Sequence, residues 1–169
     1  MDPIIRNIDQ IILAGLSFYG DPFELSNVWT AENQIGQLWQ RFMTCLDQEK
    51  ERLGPLSIEK VTYEVHLQGK ETPETGFFEV FVGFEVRDIK SVPFNFLIKV
   101  LPKATYAVFT IKGTEIASDW GQETELWMKE NGYREAYPFS FQYYDHRFLG
   151  LDRIEESEID VYVPIEKNV

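Results

Sequence analysis

The chain contains two related halves, and this internal repeat limits the folds that it can adopt. The segment ILAGLSFYGD from Ile12 aligns with TYAVFTIKGT from Thr105. A second alignment places FEVFVGFE (78–85) on IDVYVPIE (159–166), with acid on acid and valine on valine. Two copies predict a pseudo-symmetric domain rather than a solenoid, because a solenoid needs a longer array of stacked units.

A segment with helical periodicity lies between the strand-like segments of each half. In the first half, Gly54-Pro55 is predicted to end the helix. In the second half, Thr114 is predicted to cap the helix at its start and Asn131-Gly132 to cap it at its end. The apolar positions with helical spacing are Ile35, Leu38, Trp39, Phe42, Cys45 and Leu46 in the first half, and Ile116, Trp120, Trp127 and Met128 in the second.

Each half therefore predicts the order strand, helix, strand, strand, within one domain that covers residues 1–169. Repeat one runs over about 4–87 and repeat two over about 94–166. Joined edge to edge, they predict an α+β fold with one antiparallel sheet and both helices on one face. Two helices cannot cover such a sheet completely, so a cleft between the repeats is expected, and clefts of this kind are common ligand sites. Strands are expected near 4–18, 61–68, 76–87, 96–112, 139–145 and 157–165.

The charge balance restricts the partners of the chain. Acidic residues number 28 and basic residues 16, which gives a net charge of −12. This charge repels phosphate backbones and anionic membrane surfaces, so we expect no direct contact with nucleic acid and no membrane contact. Cationic ligands or basic protein partners are attracted instead. The alternative interpretation is that the charge serves solubility alone.

The remaining composition indicates a cytoplasmic protein without a metal or cofactor. Cys45 is the single cysteine, so no internal disulfide can form, which is typical of a reducing compartment. The first ten residues lack the basic and apolar regions of a signal peptide, and no apolar stretch reaches transmembrane length. Two histidines are too few for a His-rich metal site, and no glycine-rich phosphate loop is present.

Seven short segments, in their order along the chain, resemble one family. They are IGQLWQRF (35–42), GFFEVFVGFEV (76–86), ATYAVFTIKG (104–113), the W-x6-W pair in the second helix, ENGY (130–133), FQYYDHRF (141–148) and SEIDVYVPIE (157–166). Together they resemble the GyrI-like superfamily of AraC-type effector-binding domains, and within it the stand-alone, integron-associated type. The resemblance covers nearly the whole chain.

The resemblance implies both a fold and a function. The family's fold is similar to the one that the repeat predicts, and its members bind small, often cationic and aromatic compounds, alone or as the sensory part of transcription regulators. Some relatives inhibit gyrase by protein contact, and others hydrolyse reactive cyclopropane compounds. In a regulator a helix-turn-helix segment precedes this domain. The first residues here already read as a strand, so we expect no DNA-binding segment.

The family's usual ligand acid is replaced in this chain. The resemblance implies a glutamate before the Tyr-Asp pair, but Gln142 stands at that position. Strand alternation places Gln142 and Tyr144 on one face. Overlay of the two repeats puts Gln142 on Glu64 and Tyr144 on His66. The carboxylate is thus predicted to have moved to the other half of the same cleft, the alternative being that Glu64 and His66 lie solvated on an exposed sheet face.

In the last strand of each half, one further aromatic residue lies beside an acid. Phe81 shares its strand face with Glu79, and Tyr162 shares its face with Asp160. Aromatic rings next to carboxylates suit a planar cation. Because alternation does not tell which face the helices cover, the sequence leaves open which set of residues lines the cleft.

The sequence thus predicts a binding module for a small aromatic, possibly cationic, compound. One alternative is a hydrolase that uses Glu64 with a nearby tyrosine, and another is a protein-interaction module that acts through its acidic surface. No catalytic residue is assigned. The predicted ligand contacts are Trp39, Glu64, Phe81, Trp120, Gln142, Tyr144 and Tyr162.

Overall fold

The computed structural model describes residues 2–24, 32–53, 60–90 and 92–168. Within them the chain forms a mixed α+β fold built on one antiparallel sheet, as the repeat predicts. The predicted helix stop at Gly54-Pro55 lies outside the described residues, as does Ser91 near the junction of the repeats. The strands are β1 (Ile4–Ile8), β2 (Ile11–Gly20), β3 (Thr62–Gln68), β4 (Phe78–Glu85), β5 (Leu97–Leu101), β6 (Ala104–Lys112), β7 (Tyr133–Glu135), β8 (Phe139–Tyr144) and β9 (Glu158–Lys167). The helices are α1 (Gln34–Gln48), α2 (Lys50–Leu53), α3 (Thr72–Thr75) and α4 (Gly121–Glu130), with 3₁₀ turns at Gly113–Ala117 and Leu151–Glu156.

The order of strands across the sheet shows how the two halves meet. It runs β1-β6-β9-β8-β3-β4-β2-β5, with β7 added beside β9. The central pair is β3 with β8, one strand from each half. Each half also gives its first strand to the other, because β1 pairs with β6 and β5 pairs with β2. The sheet is therefore pseudo-symmetric about its centre.

Two predicted strands were wrong in their extent. The segment expected as one strand near 4–18 forms β1 and β2, and the segment near 96–112 forms β5 and β6. In the second case Pro102 follows β5 at once, and proline has no N–H to donate to a strand ladder. In both cases the two strands lie toward opposite ends of the sheet, so the chain must leave one end and enter the other.

These connections curl the sheet. Only two residues join β1 to β2, and only two join β5 to β6, although each pair lies at opposite sheet ends. The ends must therefore approach one another, and an ion pair between Lys103 and Asp9 (2.9 Å) links the two connections. The concave interior is filled by buried side chains from both ends and the middle of the sheet, which are Ile11, Leu13, Val61, Tyr63, Val65, Phe81, Leu101, Tyr106, Val108, Phe139, Phe141 and Tyr162.

Both long helices lie on the other, convex face. Helix α1 buries Ile35, Leu38 and Phe42 against residues of β2 and β4. The second half packs Ile116 and Met128 against β6 and β9 in the same way. The covered face carries the purely apolar strand positions, such as Val80 and Val82 in β4 or Ile159 and Val161 in β9. This settles which face the helices cover.

The ends of the helices follow local chemistry. Asn33 caps α1, since its Oδ1 accepts a hydrogen bond from the Gly36 backbone N–H at 2.8 Å. The predicted cap at Thr114 was wrong, because Gly113–Ala117 forms a separate 3₁₀ turn and α4 begins only at Gly121. At the end of α4, Asn131 is the C-cap and Gly132 follows with φ +69°. Glycine adopts this left-handed conformation without strain.

Candidate functional site

A buried carboxylate lies at the centre of the sheet, on the helix-covered face. Glu64 of β3 is directly opposite Gln142 of β8, where the two halves pair. The Glu64 side chain is fully buried, with 0% of its surface exposed. A carboxylate in such a place is costly unless hydrogen bonds and a counter-charge compensate it.

Both carboxylate oxygens of Glu64 have partners. Trp39 of α1 donates from its indole Nε1 to Oε2 at 2.5 Å. His66 Nε2 lies 2.7 Å from Oε1, and the Gln142 amide Nε2 donates to the same oxygen over a longer 3.4 Å. Because a carboxylate only accepts hydrogen bonds, the short contact requires a hydrogen on His66 Nε2.

Tyr144 completes the arrangement from β8. Its hydroxyl donates to Gln142 Oε1 at 2.5 Å, which fixes the orientation of the Gln142 amide. Burial, followed by the negative charge of Glu64, raises the pKa of Tyr144 well above its ordinary value, so this hydroxyl stays a donor. The Tyr144 ring packs edge to face against Trp39, with centroids 5.3 Å apart. We call Trp39, Glu64, His66, Gln142 and Tyr144 the central network.

Two cavities flank the central network. The larger, which we call the cleft, has a volume of about 1270 Å³ and lies between the β3–β8 pair and α4. His66, Gln142 and Trp120 contribute to its walls. The smaller, which we call the apolar pocket, measures about 420 Å³ and lies on the α1 side, with Trp39 and Tyr144 in its wall. Glu64 itself is buried and is among the described lining residues of neither cavity.

The cleft has rings and acids among its lining residues. The His66 ring contacts Phe78 at 5.4 Å between centroids, and both line the cleft with Trp120. Glu125 and Glu135 also line the cleft, and desolvation, followed by the charge of Glu125, raises the pKa of Glu135. Counted with Asp119, the cleft is lined by three acids against two bases, Lys129 and Arg134, and this balance favours a positive over a negative charge.

The structure brings four predicted site residues into contact and separates two others. Trp39, Glu64, Gln142 and Tyr144 meet in the central network, and Trp120 lines the cleft beside it. Gln142 also lines the cleft, Trp39 and Tyr144 line the apolar pocket, and Glu64 is among the described lining residues of neither. The alternative of a solvated Glu64 on an open sheet face is wrong, since Glu64 is fully buried.

Phe81 and Tyr162 are not part of this arrangement. Both point into the concave interior, on the other side of the sheet, because strand alternation sends them opposite to Glu64 and Gln142. The cation expected over Phe81 is supplied by the chain itself. Lys99 Nζ lies 5.6 Å from the Phe81 ring centroid and 2.7 Å from Glu79 Oε2. Near Tyr162, the carboxylate of Asp160 likewise has partners within the chain. It pairs with the Arg147 guanidinium and accepts a hydrogen bond from the Thr110 hydroxyl.

The sequence reasoning missed residues that shape the cavities. The overlay makes His66 the symmetry mate of Tyr144 but does not predict that it lines the cleft. The strand register places His66 opposite Ser140, and both residues line the cleft. Met43, Phe148 and Leu151 line the apolar pocket but are not among the predicted contacts, since Phe148 and Leu151 lie beyond the end of β8, where strand alternation no longer applies.

Two further properties concern only the described part of the chain. It contains no group of three or more histidine, cysteine, aspartate or glutamate side chains placed to hold a metal ion. None of its helices combines the length and the apolar character needed to span a bilayer.

Comparison with known proteins decides the family. A model of the GyrI-like small molecule binding domain matches residues 1–166. The chain belongs to this family. The resemblance to the GyrI-like superfamily is thereby confirmed, and with it the assignment of the chain as a small-molecule binding domain.

Individual relatives are similar in sequence or in fold. The transcriptional regulator BrlR of Pseudomonas aeruginosa is 37% identical over 134 residues, which are 78% of this chain and 46% of BrlR. The chain thus spans about half the length of this relative. The structure of SAV2435 bound to tetraphenylphosphonium superposes with a TM-score of 0.68 at 13% identity, over 98% of this chain and 94% of that chain.

The integron cassette protein VCH_CASS2, from the mobile metagenome of Vibrio cholerae, shares the GyrI-like fold. Its TM-score is 0.61 at 14% identity, and the match covers 98% of this chain and 97% of that chain. The placement of the chain beside the integron-associated type is confirmed at the level of the fold.

Proposed function

We propose that this GyrI-like domain binds a small aromatic cation in the cleft and that Glu64 supplies the negative charge that attracts it. The observation that carries this proposal is the fully buried Glu64 carboxylate, whose hydrogen-bond partners His66 and Gln142 both line the cleft. His66 is 23% exposed and lies between Glu64 and the cleft. An incoming cation would replace the hydrogen bond that His66 makes to Glu64.

The walls of the cleft support an aromatic ligand. Trp120, Phe78 and the His66 ring offer surfaces on which a planar or multi-ring compound can stack. A volume of about 1270 Å³ exceeds that of most single-ligand pockets, so a bulky ligand is accommodated. The fold is also that of SAV2435, whose structure was determined with tetraphenylphosphonium, an aromatic cation. The net charge of −12 adds long-range attraction.

Isothermal titration with tetraphenylphosphonium tests the proposal. We expect Glu64→Gln to weaken binding about tenfold, which corresponds to about 1.4 kcal/mol of lost attraction. Glu51→Gln on the exposed helix α2 removes the same charge far from the cleft and is the matched control. The neutral analogue triphenylphosphine oxide should bind the native chain and Glu64→Gln equally. Equal affinity of the cation for the native chain and Glu64→Gln would refute the role of Glu64.

Two finer features of the function rest on composition. We infer that this domain makes no direct contact with nucleic acid, which its net charge of −12 supports, and that it works in the cytoplasm, which its single cysteine supports. An electrophoretic shift of random duplex DNA at low salt would contradict the first inference. Fractionation of cells that express the chain would check the second.

A further inference from the structure

The apolar pocket has the size and lining of a ligand site of its own. Its volume of about 420 Å³ falls within the range of about 300–1000 Å³ that is typical of small-molecule sites. None of its described lining residues carries a charge. They are Asn33, Ile35, Gly36, Trp39, Gln40, Met43, Thr62, Tyr144, Phe148 and Leu151.

The apolar pocket is separate from the cleft. The two cavities have no described lining residue in common. Trp39 and Tyr144 line the apolar pocket, and their polar atoms are bonded to Glu64 and Gln142, of which Gln142 lines the cleft. A ligand of the cleft therefore does not fill the apolar pocket.

The lining defines the chemistry of the occupant. Tyr144 meets Phe148 edge to face with centroids 4.9 Å apart and meets Trp39 at 5.3 Å, so three aromatic side chains surround the space. A charged group would lose its water shell there without a partner of opposite charge among the described lining residues, whereas an uncharged ring system loses little. We propose that the apolar pocket is a second ligand site, for an uncharged aromatic molecule of up to three rings.

Occupancy of the apolar pocket is sensed in the cleft. Trp39 Nε1 donates to Glu64 Oε2, and the Tyr144 hydroxyl donates to Gln142 Oε1. A ligand that shifts either ring changes the donors around Glu64 and the orientation of Gln142, which lines the cleft. Coupling between two binding sites is reciprocal, so each ligand alters the affinity of the other by the same factor.

The neutral dye N-phenyl-1-naphthylamine tests for the second site, because its own emission rises in an apolar environment. Met43 and Leu151 are 51% and 46% exposed, so Met43→Glu and Leu151→Glu place a carboxylate at the pocket without disturbing the core. We expect each to weaken dye binding at least tenfold. Leu126→Glu is the matched control, since Leu126 is 55% exposed on α4 and outside both cavities. Dye affinity that is equal in all four proteins, or absent in the native chain, overturns the proposal.

A second titration separates this site from the cleft and tests the coupling. Saturation with the dye should change the tetraphenylphosphonium affinity of the native chain at least threefold, and the cation should change the dye affinity by the same factor. Tyr144→Phe keeps the ring but removes the bond to Gln142, so it should bind the dye while reducing this change. Independent binding of the two probes in the native chain would refute the coupling. Binding of the dye without any binding of the cation would support the second site and count against the function proposed for the cleft.

Discussion

Glu64 is stable in the interior because each of its oxygens is held by a donor from a different element. Trp39 reaches it from α1, His66 from the same strand and Gln142 from β8. A buried carboxylate that loses a donor bears its full desolvation cost, so these bonds contribute more than an average hydrogen bond. The same feature leaves Glu64 responsive to whatever displaces one donor.

Removal of the indole donor should therefore destabilise the fold. Trp39→Phe leaves Glu64 Oε2 without its hydrogen bond and should lower the free energy of unfolding by about 2–3 kcal/mol. Trp127→Phe is the control, because Trp127 is also partly buried and stacks on Tyr133, but lies away from Glu64. Urea denaturation compares the two. A loss of stability no larger for Trp39→Phe than for Trp127→Phe would show that the bond to Glu64 contributes little.

At the residue scale the sequence predicts partners within the sheet better than partners between layers. The overlay of the repeats pairs Glu64 with Gln142, and the strand register confirms this pairing. It gives no hint that Trp39 donates to Glu64, since that contact joins a helix to a strand 25 positions away. It also groups Phe81 and Tyr162 with the site, because alternation sorts residues into two faces without showing which one the helices cover.

At the scale of single elements, helix α1 positions Trp39 and is itself fixed by its first residues. The Asn33 side chain is 1% exposed overall and accepts the Gly36 N–H. The helix then presents Trp39 to Glu64 and Met43 to the apolar pocket. A weaker cap would loosen the wall that separates the two cavities.

Replacement of the cap tests this dependence. Asn33→Ala should lower the free energy of unfolding by about 1 kcal/mol, the usual cost of losing an N-cap acceptor. Asn33→Asp keeps a short acceptor at the position and should remain close to the native stability, which makes it the conservative control. Thermal unfolding followed by circular dichroism gives both values. An equal loss for the two variants would point to packing of Asn33 rather than capping.

The strands show where local patterns stop being informative. Alternation predicts a first strand in each half. It does not predict the break between β1 and β2, because that break lets β1 pair with β6, which is far along the chain.

The two repeat alignments disagree with each other by two residues. In the structure, the strand register pairs Leu16 with Val82 in the first half and Phe109 with Val161 in the second. If Leu16 corresponds to Phe109, as the first alignment requires, Val82 corresponds to Val161 and not to Val163.

At the scale of the whole molecule, the curled sheet encloses tyrosines. Tyr63, Tyr106 and Tyr162 lie in the concave interior, and burial is the main cause that raises the pKa of each, to about 12 for Tyr106. The folded chain thus holds these protons more tightly than the unfolded chain, whose tyrosines titrate near 10. For Tyr106 this contribution to stability is complete below pH 10 and is lost as the pH rises from 10 through 12.

Alkaline titration followed at 295 nm measures this effect. In the native chain we expect only part of the 8 tyrosines to ionise near pH 10, and the rest to ionise together with the loss of the circular dichroism signal above it. In concentrated urea all 8 should ionise near pH 10, which serves as the internal control. Ionisation of all tyrosines near pH 10 while the fold persists would contradict the burial described for the concave interior.

The exchange of first strands between the two halves has a consequence for how the chain is assembled. Since β1 belongs to the sheet edge of β6, and β5 to that of β2, neither half can complete its own edge. The two halves thus exchange strands within one chain in the way that the two subunits of a domain-swapped dimer do. We expect a half expressed alone to expose an unpaired sheet edge and to self-associate through it. Two separately expressed halves, when mixed, should instead bind each other. The cleft, whose lining residues come from both halves, would then form only on reassembly.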